Sequence, residues 1–536
     1  MPAPVVDDEN GYSPLMGLVY VFNLIVGTGA LTLPAAFLEA GWALSLCLII
    51  MLSFMSYLTV TFVIEAMAAA NAIIHWRRQR QLKRQLDCVS TEDGPSDAQF
   101  GVVTVPARNP ALAQRAETPD GSLGGSARGS TDGVADSDSL AVSEEEMRLL
   151  EPDPVSLNEY YNITETVEMG KMASFFFSRF GVNVFYVMIA MYLYGDLAIY
   201  AAAVAKSLRD VGCTYVPANH TCNATIPLSD PCWSGLELTR WDAYRIFLSI
   251  FVATLGSFVF FNVQKTKYLQ VLTTLMRWGA FGLMVVLALR RLVAAGRPLG
   301  HPPAFRPAGL PTLFGVCVYS FMCHHSLPSL ITPISNKSRI TALLAADYVL
   351  ILAFYLLLAF TGIFAFPSLY DLYTLNFVPC DEGQSIGWFE QLLDYFLSMF
   401  PVFTLSTNFP IIAITLRNNL QTLCLTEGRR HGVFVRRLLF PLLALLPPAV
   451  VALVFQDLQM LVGITGSYAG SGIQYVVPAL LAFYSRRTTL TLIGMGVRNK
   501  HSSWFQHTGW VVFVLLWAAV CVIFVTVNHL EDWFGF

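Results

Sequence analysis

Eleven predominantly apolar stretches, each about 20 residues or longer, divide this 536-residue chain and leave few folds open to it. They run over residues 15–38, 43–69, 182–205, 243–261, 268–292, 312–331, 343–366, 392–416, 435–455, 458–484 and 508–528. About 20 such residues cross a bilayer as a helix. Backbone groups in hydrocarbon must be paired within the segment, so spans of this kind are helical. Only 13% of the chain is charged, against about 25% in soluble domains. The expectation is an all-α polytopic membrane protein with a lipid bilayer as partner. A net charge of −4 gives no basic surface for nucleic acid.

Charge places the connections. Lys and Arg gather on one side, led by Arg77, Arg78, Arg80, Lys83 and Arg84, which predicts a cytosolic N-terminus and an extracytosolic C-terminus. The expected order is a cytosolic tail (1–14), helices one and two (15–76), a cytosolic loop (77–165), then helices three to eleven (166–536). The long loop is rich in Ser, Asp, Glu, Pro and Gly, a composition that predicts disorder. Residues 206–242 form an extracytosolic loop with sequons at Asn219 and Asn223 and with Cys213, Cys222 and Cys232. A later outer loop adds Cys380. Clustered sequons and cysteines suit an oxidising compartment. Four cysteines allow three pairings, and the spacing does not choose among them.

Two spans are interrupted. The first contains Asn23-Leu-Ile-Val-Gly27-Thr28-Gly29-Ala30-Leu-Thr-Leu-Pro34. Glycine costs a helix about 1 kcal/mol relative to alanine, and proline removes a backbone hydrogen bond. The sixth contains Tyr319-Ser320-Phe321-Met-Cys323-His324-His325-Ser326-Leu-Pro328. Matching breaks five helices apart point to an inverted-repeat transporter with its solute near the bilayer midplane. The alternative is a pair of kinks used only for packing.

The run Asn23–Pro34, Cys323-His324, and Gly463-Ile-Thr-Gly-Ser-Tyr with Pro478 in span ten resemble the amino acid/auxin permease family. That family belongs to the amino acid–polyamine–organocation superfamily. GLVYVFNLIVGTGALTLP, YLYGDLAIYAAAV, VQKTKYLQ and SFMCHHSLPSLITP resemble the transmembrane protein 104 family more closely. The resemblance covers the membrane portion but not the loop at 77–165. It implies a five-plus-five inverted repeat with broken helices one and six and one appended helix. It also implies an amino acid-like small-molecule substrate. The backbone of Val26, Gly27, Thr28 and Gly29 would cradle a carboxylate, with Asn23 about a turn below. Tyr319, Ser320, Phe321 and Cys323 would form the facing wall.

Coupling has several candidates. Thr404, Ser406 and Thr407 in span eight supply hard oxygens of the kind Na⁺ needs, although such hydroxyls often bond their own helix. Arg277 lies nine residues into span five, roughly 13 Å at about 1.5 Å per residue. Some sodium-independent superfamily members resemble this by placing a basic side chain where sodium would sit, and an Arg would be a fixed surrogate cation. The alternative is an ion-paired or snorkelling Arg near the cytosolic face. Asp196, inside span three, is a candidate proton carrier because intramembrane acids are functional by default. It could instead hold helices together as a hydrogen-bonded acid. His324 titrates near neutrality when exposed, and Glu65 reads as an interfacial charge at the end of span two.

No HExxH, G-x-S-x-G or Walker sequence is present, so an enzyme is not expected. No cofactor or metal is expected beyond H⁺ or Na⁺ as a coupling ion. Glu145-Glu-Met-Arg-Leu149-Leu150 resembles an acidic dileucine signal read by clathrin adaptors, which points to endosomes and lysosomes. Two functions stand: an ion-coupled transporter of neutral amino acids or similar solutes working by alternating access, or an amino acid sensor or scaffold on the same fold. The assigned sidedness predicts that replacing both Asn219 and Asn223 by Gln abolishes a glycosidase-sensitive gel shift. A shift that survives the double replacement contradicts it.

Overall fold

Ser13 opens the first helix: its hydroxyl accepts the Met16 N–H at 3.3 Å. Pro14 follows, where its missing N–H is harmless. In this computed structural model, residues 13–92, 160–217, 226–260, 267–378, 387–425, 434–494 and 497–534 are described. Helix α1 (Pro14–Ile25) meets α2 (Thr28–Ala40) at an angle of 55°. The chain then turns through Gly41 (φ +92°), where a Cβ would come within 2.9 Å of the Ala304 backbone. Helix α3 (Trp42–Glu92), the short α4 (Met169–Phe176), α5 (Arg179–Gly212), α6 (Arg240–Gly256) and α7 (Lys267–Ala295) follow. The sixth span is two pieces, α8 (Leu310–Ser320) and α9 (Leu327–Ile331). After α10 (Ile340–Ala365), α11 (Trp388–Cys424) and α12 (Phe440–Val454) comes α13 (Leu458–Thr465). Two π-helical stretches, Gly466–Gly470 and Gly472–Val476, join α13 to α14 (Val477–Leu492), and α15 (Thr508–Phe534) ends the described chain.

Among the described residues, eight helices are long and apolar enough to cross a membrane, or nine with the bent α1–α2 pair taken as one span. The expected eleven is not reached by that measure. The two remaining spans are the ones whose backbone is interrupted, one between α8 and α9 and the other by π turns. Both expected breaks are present. Around the outside, Leu275, Val286, Leu350, Val450, Leu516, Val520 and Ile523 are each more than half exposed. An apolar surface of this extent requires a bilayer rather than water. The chain is a helical polytopic membrane protein.

The chain divides into two compact units, Met1–Ile74 with Tyr160–Phe536, and His75–Glu159. In the second, residues 75–92 are helical, so the start of the expected loop is ordered as helix. Its other end also departs from expectation. Tyr160, Tyr161 and Ile163 are buried, and the Asn71 amide bonds the backbone at Thr164 and Glu165 at 2.9–3.2 Å. Two aromatics and one capturing Asn outweigh the polar composition there. The expected outer loop is likewise shorter, because α5 continues to Gly212. Cys213 pairs with Cys232, and Trp233 donates to the Gly212 carbonyl at 2.9 Å. Lys206 pairs with Asp371, which also accepts the first N–H of α13 at 2.9 Å. Cys222, Cys380, Asn219, Asn223, Glu145, Leu149 and Leu150 lie outside the described residues.

Glu65 is buried in an ion pair rather than left exposed at the end of span two. It is 5% exposed and takes a two-pronged ion pair from Arg486 at 2.7 and 2.8 Å, with the Ser503 N–H at 3.1 Å. The pair joins α3 to α14 and to the segment before α15. Removing one partner of a buried pair costs about 3–5 kcal/mol, whereas replacing both by apolar groups is often neutral. Glu65→Gln should therefore lower the melting temperature in lipid nanodiscs, and Glu65→Gln with Arg486→Met should recover part of the loss. An unchanged melting temperature in the single variant contradicts this role.

Candidate functional site

The bend between α1 and α2 leaves backbone groups unpaired at both helix ends. A new helix has no internal partner for its first N–H groups. Here the first N–H bonded across the bend is that of Ala30, which reaches the Gly27 carbonyl at 3.1 Å. Among the described residues the N–H groups of Gly27, Thr28 and Gly29 donate no hydrogen bond. On the other side, the carbonyls of Asn23 and Val26 accept from the Arg277 guanidinium, at 3.2 Å for Val26. Arg277 comes from α7 and is half-buried. Among the described residues no carboxylate pairs with it: its charge faces the negative end of the α1 dipole.

The sixth-span break lies directly opposite. A Cβ on Gly29 would stand 2.5 Å from Ser320 Oγ and 2.7 Å from Ser320 Cα, so this approach requires glycine. The Tyr355 hydroxyl on α10 lies 3.0 Å from the Ile25 carbonyl and 2.7 Å from the Ser320 carbonyl. One phenol therefore ties both breaks together. Behind α8, a Cβ on Gly466 would strike the Gly315 carbonyl, and one on Gly315 would reach Ser467 Oγ at 2.5 Å. The glycines of span ten are packing residues that let two backbones touch.

Between the breaks lies a cavity of about 580 Å³, within the usual range for small-molecule sites. Its lining extends from the breaks toward the end of the bundle where α1 begins, through Tyr20, Thr273, Ser329 and Ile412. Asp196, Arg277 and His325 are its ionisable charges apart from tyrosines. Asp196 is 6% exposed and accepts from the Tyr319 hydroxyl, linking α5 to the end of α8. Asn23 donates to Thr274 Oγ1 at 2.9 Å, and its Oδ1 is buried without a partner.

The candidates read from the sequence separate into two groups. Asn23, Gly27, Thr28, Gly29, Tyr319, Asp196, Arg277 and Thr404 line the cavity. Val26, Ser320, Phe321, Cys323, His324, Ser406 and Thr407 do not. Ser320 donates to Val316 at 2.7 Å, and Phe321 is fully buried in a stack on Tyr348. His324 is fully buried, with Nε2 2.9 Å from Thr59 Oγ1. Of the proposed sodium oxygens, Thr404 and Thr407 donate to their own helix at 3.0 and 2.9 Å. Tyr192, Tyr200, Asn408 and the bridging Tyr355 were not singled out by motif. Tyr192 and Tyr200 each lie four residues from Asp196, and nothing local to them or to Tyr355 signals a partner elsewhere in the chain.

Two substitutions probe this geometry. Gly29→Ala should prevent the two breaks from meeting and abolish solute-dependent thermal stabilisation. Tyr355→Phe leaves buried carbonyls short of a donor and should cost about 1–3 kcal/mol of stability. Normal stabilisation by solute in Gly29→Ala contradicts the close approach.

Comparison with known proteins places this architecture. The family model described as "Transmembrane amino acid transporter protein" matches residues 10–78 and 159–527. The human protein named transmembrane protein 104 is 52% identical over 534 residues, covering 98% of both chains. The Drosophila melanogaster transmembrane protein 104 homolog is 45% identical, covering 96% of this chain and 97% of its own. The Dictyostelium discoideum homolog is 34% identical, covering 97% of each. On the family model and these full-length similarities, the chain belongs to the transmembrane amino acid transporter family and, within it, to the transmembrane protein 104 family.

Proposed function

We propose that this chain is a secondary transporter of neutral amino acids or closely similar solutes, driven by protons through alternating access. The observation that carries this reading is the pairing, in one cavity, of three unused N–H groups with one unused carbonyl oxygen. The N–H groups of Gly27, Thr28 and Gly29 sit at the positive end of α2 and suit a carboxylate. The free Oδ1 of Asn23 suits an ammonium group. The other strong charges already have partners: Arg277 with the α1 carbonyls and Asp196 with Tyr319. A net-neutral zwitterion needs no further countercharge, which favours it over a cationic or anionic solute.

Arg277 supports protons over sodium. Its guanidinium fills the carbonyl end of the first break, where a bound cation would otherwise neutralise the helix dipole, and it does not deprotonate. Asp196 is then the coupling group. Its hydrogen bond to Tyr319 connects protonation directly to the end of α8, one of the two segments that must move. With the N-terminus in the cytosol, the cavity opens inward in this conformation.

Reconstituted protein should take up labelled neutral amino acids faster when the side of uptake is acidified. Asp196→Asn should remove that acceleration while leaving exchange of solute for solute. Arg277→Ala should introduce a dependence on sodium. Acceleration by acid that survives in Asp196→Asn, at equal protein abundance, contradicts this assignment.

A further inference from the structure

A second polar cluster lies behind the sixth-span break, among residues that do not line the cavity. It is built from Ser56 and Thr59 on α3, Asp347 and Tyr348 on α10, and Phe321, Cys323 and His324 at the break, whereas Met322, His325 and Ser326 of the same segment line the cavity. The Tyr348 hydroxyl lies 2.9 Å from Ser56 Oγ and 3.4 Å from Cys323 Sγ, and the Ser56 hydroxyl lies 3.3 Å from the Phe321 carbonyl. The Thr59 hydroxyl lies 3.1 and 3.0 Å from the carbonyls of Met55 and Ser56. His324 Nε2 lies 2.9 Å from Thr59 Oγ1, and Nδ1 is on the other side of the ring. That Nδ1 is buried and has no partner.

Asp347 completes the cluster. It is 2% exposed, its Oδ2 is buried without a partner, and among the described residues no ion pair reaches it. It is close enough to the Cys323 thiol and the Tyr348 hydroxyl to interact with both electrostatically. The titratable groups that face it are Tyr348 on its own helix and Cys323 at the break. Lys337 and Arg339 stand just before α10. Lys337 caps the Ile334 carbonyl at 2.6 Å. A carboxylate held in such a place with neither counter-ion nor donor is far costlier than a neutral acid. Asp347 is not among the residues that line the cavity, so this acid is distinct from it.

We propose that Asp347 is a second proton-binding group, and that its proton keeps the segment 321–326 docked on α3 and α10. Release breaks the carboxyl O–H bond: the proton passes to water entering behind the break, and the electron pair stays on the carboxylate, now hydrated. The docked state therefore binds one more proton than the undocked state, and rising pH favours undocking. This device does not depend on which solute the cavity takes, or on whether any is transported.

Cys323 reports it directly, being fully buried in the docked segment, whereas Cys424 at the end of α11 is exposed. Full-length protein in lipid nanodiscs is alkylated with a maleimide across a pH series, and labelling of Cys323 relative to Cys424 is read by peptide mass spectrometry. The ratio should rise with pH by up to about tenfold per pH unit, the limit for one released proton. Asp347→Asn should flatten the profile, and Asp347→Glu should keep the rise. A flat ratio in the unmodified protein overturns the proposal, whatever the variants do. A rise that persists in Asp347→Asn overturns it as well.

Discussion

A helix that stops partway across a membrane leaves its last carbonyls, and the first N–H groups of the next segment, where water cannot reach them. The rest of the molecule is arranged around two such stops. At the first, the Arg277 guanidinium takes the carbonyls of Asn23 and Val26. At the second, Tyr355 takes the Ser320 carbonyl and reaches across to Ile25. What neither neighbour takes is the set of N–H groups at Gly27, Thr28 and Gly29, and these face the cavity. In the proposed function, this unsatisfied remainder is what binds the carboxylate of the solute.

Small residues make that arrangement possible. Gly29 lets α2 meet Ser320, while Gly315 and Gly466 let α8 meet span ten at backbone distance. Two π-helical stretches lie in the same region, and such stretches recur at functional sites. Elsewhere the bundle is held by pairs at its ends: Glu65 with Arg486 at one, and Lys206 with Asp371 at the other. Ion pairs at the ends and glycine contacts at the middle give rigid rods that cross at a narrow point. That distribution suits rocking about the breaks.

Much of this was legible in the residues alone, for physical reasons. Long apolar runs report spans because hydrocarbon tolerates little else, and Gly-x-Gly with proline reports a break because those residues weaken helices. Asp196 and Arg277 stood out because charge in hydrocarbon is expensive. The partners of these groups were hidden. Nothing local to Tyr319 says that it donates to Asp196 more than a hundred residues away, or that Tyr355 bridges two carbonyls. Direction on a helix was hidden too: Cys323 and His324 follow the break in sequence yet turn away from the cavity, whereas His325 lines it. Glu65 gave no local sign of its ion pair because its partner, Arg486, lies 421 positions on. Composition misled at 160–165, where two tyrosines and Asn71 fasten an otherwise polar stretch.

The central claim is that the cavity between the breaks moves a neutral zwitterion at the expense of a proton gradient. The most direct measurement is uptake of a labelled amino-acid mixture into proteoliposomes carrying the unmodified protein, with H⁺ and Na⁺ gradients imposed separately. The account predicts accumulation of neutral amino acids above equilibrium with the proton gradient, and none with sodium alone. Ligand-induced stabilisation of the folded protein without uptake under either gradient would contradict it, and would identify a sensor built on a transporter fold.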